Sequence, residues 1–242
     1  ITFTQASVHS TTPNQIKIEL PPHQEFFGEA KQGNYQILAD HKDDSNFRYS
    51  MALDIPGGDN ITLNLWSKWE IEEGYDYAQI KINGNALANT YTTQTSSNIA
   101  NVRDFITGKL SGTPWTKLSF DVSEYKNTSV TLDIDYVTDP AVGGFGIAID
   151  DISISSDDNE TSVIDFEQPA TFSSIENTLN FKRINAYKDA EPDNYYIQLR
   201  SNELLDKGLV SVDYEPGVLL WLSLIPIRRC RRTTLCRARR PH

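Results

Sequence analysis

Apolar and polar residues alternate with period two over long stretches of this chain, which predicts β-strands with one buried face. In NFRYSMALDI, residues 46–55, Phe47, Tyr49, Met51, Leu53 and Ile55 alternate with Arg48, Ser50, Ala52 and Asp54. In NITLNLWSKWEI, residues 60–71, Ile61, Leu63, Leu65, Trp69 and Ile71 share one parity. In TSVTLDIDYV, residues 128–137, Val130, Leu132, Ile134 and Tyr136 alternate with Thr131, Asp133 and Asp135. A helix would scatter these side chains around its axis, whereas a strand gathers them on one face. Shorter strands are expected at QIKIEL, NYQILA, YDYAQIKI, TKLSFDV, GIAIDDISI and NYYIQLR.

Turn-forming runs separate these segments: IPGGDN at 55–60, INGNA at 82–86, SGTP at 111–114 and DPAVGG at 139–144. Only SEYK, residues 123–126, and parts of 96–110 invite a helical turn. The expected fold is therefore all-β, an antiparallel β-sandwich of jelly-roll type with a smaller second β segment. Residues 1–24, ending in LPPHQ, read as the close of a preceding domain or a linker. Residues 25–155 read as the sandwich, 156–162 as a polar linker, 163–221 as a second, truncated β-rich segment, and 222–242 as an aberrant basic tail.

Charge narrows the classes of partner. The chain carries a formal net charge of −11, but seven of its arginines lie after Pro226, leaving 15 basic against 33 acidic residues before it, a balance of −18. Such a body repels phosphate backbones and anionic lipid, so neither nucleic acid nor a membrane is expected as partner. No cysteine precedes Cys230, which argues against a disulfide-stapled mini-domain and a thiolate zinc site. No secretory signal is visible at ITFTQASVHS, and the chain is expected to be a fragment or processed product.

Catalytic motifs are sparse. The four histidines, His9, His23, His41 and His242, include no H-E-x-x-H pair, so the usual helical zinc-hydrolase site is excluded within this chain. No G-x-S-x-G elbow occurs. The informative run is GFGIAIDDISI, residues 144–154, where adjacent aspartates close an apolar strand. One of Asp150 and Asp151 must then face inward unless a bulge intervenes. A buried carboxylate needs a cation or several N–H donors, and calcium, taking six to eight oxygen ligands, is a natural partner. The candidate ligands are Asp150, Asp151, Glu29 and Asp76, with Glu72, Glu73, Asp40, Asp43 and Asp44 as further donors. The alternative is that Asp150 bonds turn amides and Asp151 is solvated. Trp66 and Tyr77 are candidates for an exposed sugar-stacking platform, while alternation assigns Trp69 to the core.

The runs LWSKWEIEEGYDYAQIKI and WTKLSFDVSEYKNTSVTLDIDYVTDPAVGGFGIAIDDISI resemble the jelly-roll region that follows the catalytic domain in immune inhibitor A-type metallopeptidases, a region similar to MAM adhesion domains. YYIQLRSNELLDKGLVSVDYEPGVLLW resembles the next segment of those peptidases, so the likeness covers residues 2–221. The resemblance implies the non-catalytic, calcium-stabilised part of a secreted, extracellular zinc endopeptidase, inactive alone. Its partners would be the preceding catalytic domain of the same polypeptide and protein substrates, with zinc bound only by the parent. An adhesion module of MAM or carbohydrate-binding type is the competing expectation.

The likeness stops after Trp221, where charge and cysteine use change together in LSLIPIRRCRRTTLCRARRPH. A shifted reading frame would produce that combination. The rivals are an anchor segment, although VLLWLSLIPI falls short of the roughly twenty residues a spanning helix needs, and a nucleic-acid arm on an acidic body.

Overall fold

In a computed structural model of the chain, the alternating segments form strands, and the structure describes residues 15–157, 159–169, 179–190, 194–200 and 217–223. They are β1 (Gln15–Glu19), β2 (Gln24–Phe26), β3 (Gln36–Asp40), β4 (Asn46–Asp54), β5 (Ile61–Glu70), β6 (Tyr77–Ile82), β7 (Asn85–Ala86) and β8 (Thr116–Asp121). There follow β9 (Ser129–Val137), β10 (Gly146–Ser156), β11 (Asn159–Ile164), β12 (Leu179–Asn180), β13 (Lys182–Ile184), β14 (Tyr187–Asp189), β15 (Asn194–Arg200) and β16 (Gly217–Ser223). The fold is all-β. Its one helical element among the described residues is a 3-10 turn at Ser123–Tyr125, inside the SEYK run. Residues 96–110 form turns and isolated bridges instead, including Thr93 to Phe105 and Ala78 to Ile106.

The chain divides into two units, Phe26–Tyr187 and the remainder. The larger is a sandwich. One sheet has the order β13-β3-β10-β5-β8, with β11 also on β10; the other has the order β12-β4-β9-β6-β7. Among the described residues the pairings within these two sheets are antiparallel except the short β12 to β4 contact, which is parallel. The core holds the residues that alternation selected: Tyr49 and Leu53 from β4, Ile61, Leu63 and Leu65 from β5, and Leu132, Ile134 and Tyr136 from β9. Burying these large apolar side chains is the main stabilising term.

Several strands, β9 and β10 among them, are buried beyond what alternation predicts. On β9, Asp133 and Asp135 are also buried: Arg48 and Lys81 from the flanking strands donate to Asp135, and the Ser50 hydroxyl donates to Asp133. On β10 both faces are covered, and a second small cluster of Leu38, Ala148 and Ile184, with Phe27, Trp115 and Phe145 against it, occupies the outer face.

The expected linker at 156–162 takes a different form. β11 turns back on β10, pairing Ser156 with Asn159 and Ile154 with Thr161, and the following residues Phe166, Phe181 and Ile184 are buried in the larger unit. The polar run SSDDNETS is thus a hairpin, whose turn chemistry mimics linker composition. In the smaller unit, β1, expected to end a preceding domain, pairs with β15, which pairs with β16. The arginine-rich tail lies outside the described residues.

Candidate metal centre

Three loops meet here: the one after β3, the one joining β5 to β6 and the one after β9. The turn after β5 places Glu72 and Asp76 one helical turn apart, with the Asp76 amide donating to the Glu72 carbonyl at 3.2 Å. The Thr107 hydroxyl, at 3.0 Å from the Glu72 carbonyl and 2.9 Å from that of Asp76, fixes this turn. Just past β9, the Asp139 amide donates to Asp76 Oδ1 at 2.8 Å, and the Asp139 carbonyl accepts from the Asp44 amide at 2.7 Å. Ligand oxygens of Glu72, Asp76 and Asp139 all lie within 4.8 Å of one another, the one such cluster among the described residues.

His41, just past β3, borders the cluster. Its Nδ1 lies 3.4 Å from Asp76 Oδ2 and 3.2 Å from the Tyr136 hydroxyl, and its Nε2 lies 3.2 Å from Asp43 Oδ1. Hydrogen bonding to Asp76 holds the imidazole above its ordinary value against the opposing effect of burial, with Asp43 assisting. Burial, then Asp139 and Asp76, raise the Glu72 carboxyl. Burial likewise pushes the Tyr136 hydroxyl up. Asp76 is fully buried, and Glu72 Oε2 is buried with no hydrogen-bond partner.

This donor set fits a hard divalent cation. Three converging carboxylates offer oxygen ligands only, which suits calcium. Bound there, the ion would supply a cross-link between the loops after β5 and after β9.

Asp150 sits in a different environment. It is fully buried, and its Oδ2 accepts from the Lys31 and Gln32 amides at 2.8 and 3.0 Å, while Oδ1 accepts from the Asp151 amide at 2.8 Å. Burial raises its carboxyl to about 6 despite those amides. A β-bulge follows, with Asp151 half-buried at a φ of 48°. Nearby, the Lys68 ammonium donates to the Glu29 carbonyl at 3.4 Å and lies 4.3 Å from the Phe27 ring and 4.7 Å from Trp115. Burial lowers Lys68 to about 8, opposed by the charges of Asp150 and Glu29. The amides of Lys31, Gln32 and Asp151 are thus the donors that the Asp150 carboxylate meets.

Of the four ligand candidates, then, only Asp76 joins the acidic cluster. Glu29 has an exposed side chain and contributes its carbonyl to Lys68 and Trp115. Glu72 was legible beside Asp76 in EEGYD. Asp139 was not singled out, being read only as part of the turn DPAVGG; its position just past an inward-facing Tyr136 was the available signal.

The two platform aromatics part company. Trp66 lies on β5 under the Lys31 ammonium at 4.0 Å. Tyr77 on β6 packs edge-on against Phe105 and lines an open groove of about 1060 Å³ between the outer face of β6 and residues 94–104. Among the described residues, no helix is long and apolar enough to cross a membrane.

Comparison with known proteins agrees with the architecture. The family model described as "Immune inhibitor A-like, MAM domain" matches residues 1–180. The pre-pro-metalloprotease PrtV of Vibrio cholerae serotype O1 is 30% identical over 221 residues, covering 88% of this chain and 23% of that protein. Immune inhibitor A of Bacillus thuringiensis subsp. alesti is 21% identical over 227 residues, 90% of this chain and 31% of that protein. The chain therefore spans roughly a quarter to a third of the length of these relatives. With its all-β sandwich and a match over most of its length, the chain belongs to the immune inhibitor A-like MAM domain family.

Proposed function

We propose that this chain is the accessory β-sandwich region of a secreted, extracellular zinc metallopeptidase. In this reading it has no catalytic residue, stabilises the catalytic domain of the same polypeptide and contacts protein substrates. The observation that carries it is the family match over residues 1–180, together with relatives named as a metalloprotease and as immune inhibitor A that align with most of the chain. The test is to express the full polypeptide encoded around these residues and assay casein hydrolysis with and without zinc. Zinc-dependent hydrolysis is expected, and a flanking sequence without H-E-x-x-H and without hydrolysis would sink the reading.

Calcium is part of the proposal, with Glu72, Asp76 and Asp139 as ligands in place of Asp150, Asp151 and Glu29. The unpartnered Glu72 Oε2 among three converging carboxylates supports it. A melting temperature higher by several degrees in millimolar calcium than in chelator is expected from linkage; identical melts count against the site. The competing adhesion reading draws support from Tyr77 in its groove, but the Lys31 cap on Trp66 weakens the paired platform it needs.

A further inference from the structure

The register of the small sheet sorts its residues onto two unlike faces. Ile16 pairs with Ile197, which pairs with Leu220; Ile18 pairs with Tyr195. Directly opposed residues share a face, and residues two apart along a strand share it as well. One face therefore carries Ile16, Ile18, Tyr195, Ile197, Val218 and Leu220. The opposite face carries Lys17, Glu19, Tyr196, Gln198 and Leu219.

The apolar face is open at its two edge strands. Val218 is 70% exposed, Leu220 59% and Ile18 43%, while Ile16, Tyr195 and Ile197 are half-buried and no described residue of this unit is buried. A sheet with one apolar face reaches stability by setting that face against another layer. An uncovered patch of this kind on a regular ladder marks an interaction surface.

We propose that the Ile16, Ile18, Ile197, Val218 and Leu220 face is a docking surface for a second layer supplied by the same polypeptide outside these 242 residues. The inference rests on the reading of the chain as part of a longer metallopeptidase. Two observations select that occupant. The relatives extend far beyond the matched region, which makes up 23% of one and 31% of the other. A second copy is disfavoured by charge, since two bodies each carrying −11 overall repel one another.

The test compares hydrogen exchange of residues 194–200 and 217–223 in the full polypeptide and in the 242-residue chain. Docking predicts exchange at least about tenfold slower in the full polypeptide, because covered strands open less often. Val218→Lys with Leu220→Lys should restore fast exchange in the full polypeptide, whereas Leu219→Lys, on the other face, should not. Equal exchange in the two wild-type proteins overturns the proposal. So does sedimentation showing that the 242-residue chain dimerises and that dimerisation alone gives the protection. Casein hydrolysis keeps the parent reading separate: hydrolysis without protection removes the docking surface only, and protection without hydrolysis removes the peptidase reading only.

Discussion

Asp139 donates its backbone amide to Asp76 Oδ1 at 2.8 Å, joining the loop after β9 to the turn before β6 across 63 residues of sequence. Asp76 also faces His41 and the Tyr136 hydroxyl, at 3.4 and 3.5 Å. Asp76→Ala would leave these buried donors without an acceptor. A loss of about 2–4 kcal/mol is expected in urea unfolding. A loss below about 0.5 kcal/mol would show that the contact does not hold the loops.

Glycine is required where β10 begins. A Cβ on Gly146 would stand 2.1 Å from the Ala39 carbonyl oxygen, and one on Gly144 would stand 2.1 Å from the Glu70 carbonyl oxygen. Gly146 also has a φ of 95°. Gly146→Ala must push β3 from β10 and should cost about 2–4 kcal/mol. Gly84→Ala is the comparison: its φ is 82° but nothing lies within 4 Å, so about 1 kcal/mol is expected from backbone strain alone. Paired denaturation curves decide, and equal effects would contradict the steric account.

The strands were legible because β4, β5 and β9 each keep their large apolar core residues on one parity, a signal that resides in consecutive residues. Less legible was everything that depends on a neighbour distant in sequence. Asp133 and Asp135 read as solvent-facing, yet partners on adjacent strands meet both, Ser50 for Asp133 and Arg48 with Lys81 for Asp135. The SSDDNETS run read as a linker because hairpin turns and linkers use the same residues. At the Asp150–Asp151 pair the sequence required one inward carboxylate unless a bulge intervened, but which aspartate, the bulge itself and the Lys31 and Gln32 amides from a loop more than a hundred residues earlier were not legible there. The acidic cluster was half legible: Glu72 and Asp76 share one turn, while Asp139 arrives from another strand.

The Arg48, Asp135 and Lys81 trio gives an acid-side prediction. Arg48 Nε and Nη2 donate to Asp135 at 2.5 and 2.6 Å, and Lys81 Nζ donates at 2.8 Å. Burial alone would raise the Asp135 carboxyl, but these donors outweigh it and hold the group below its ordinary 3.8. A depressed folded value gives stability that is full above the unfolded value and is lost as pH falls through the folded one. The acid limb of unfolding below about pH 3.8 should therefore be shallower in Asp135→Asn, although that variant is less stable at pH 7. Parallel acid limbs would remove the trio from the account of acid sensitivity.

Asp150 has the opposite sign and a separate window. Its folded value of about 6 exceeds the ordinary 3.8, so the protonated acid is favoured in the folded state. The associated stability is fully present below about pH 3.8 and is lost as pH rises through about 6. A shift of this size corresponds to at most about 3 kcal/mol. Urea unfolding at pH 4, 5, 6 and 7 should show this falling contribution in the wild type. Asp150→Asn cannot titrate there, so the difference between the two proteins should change over that interval and stay constant below it. Lys68→Met sharpens the result: without the ammonium attracting it, Asp150 should titrate at higher pH, and the window should move upward. An unmoved window would mean that the three amides govern Asp150 and that Lys68 serves only to pack Phe27 and Trp115.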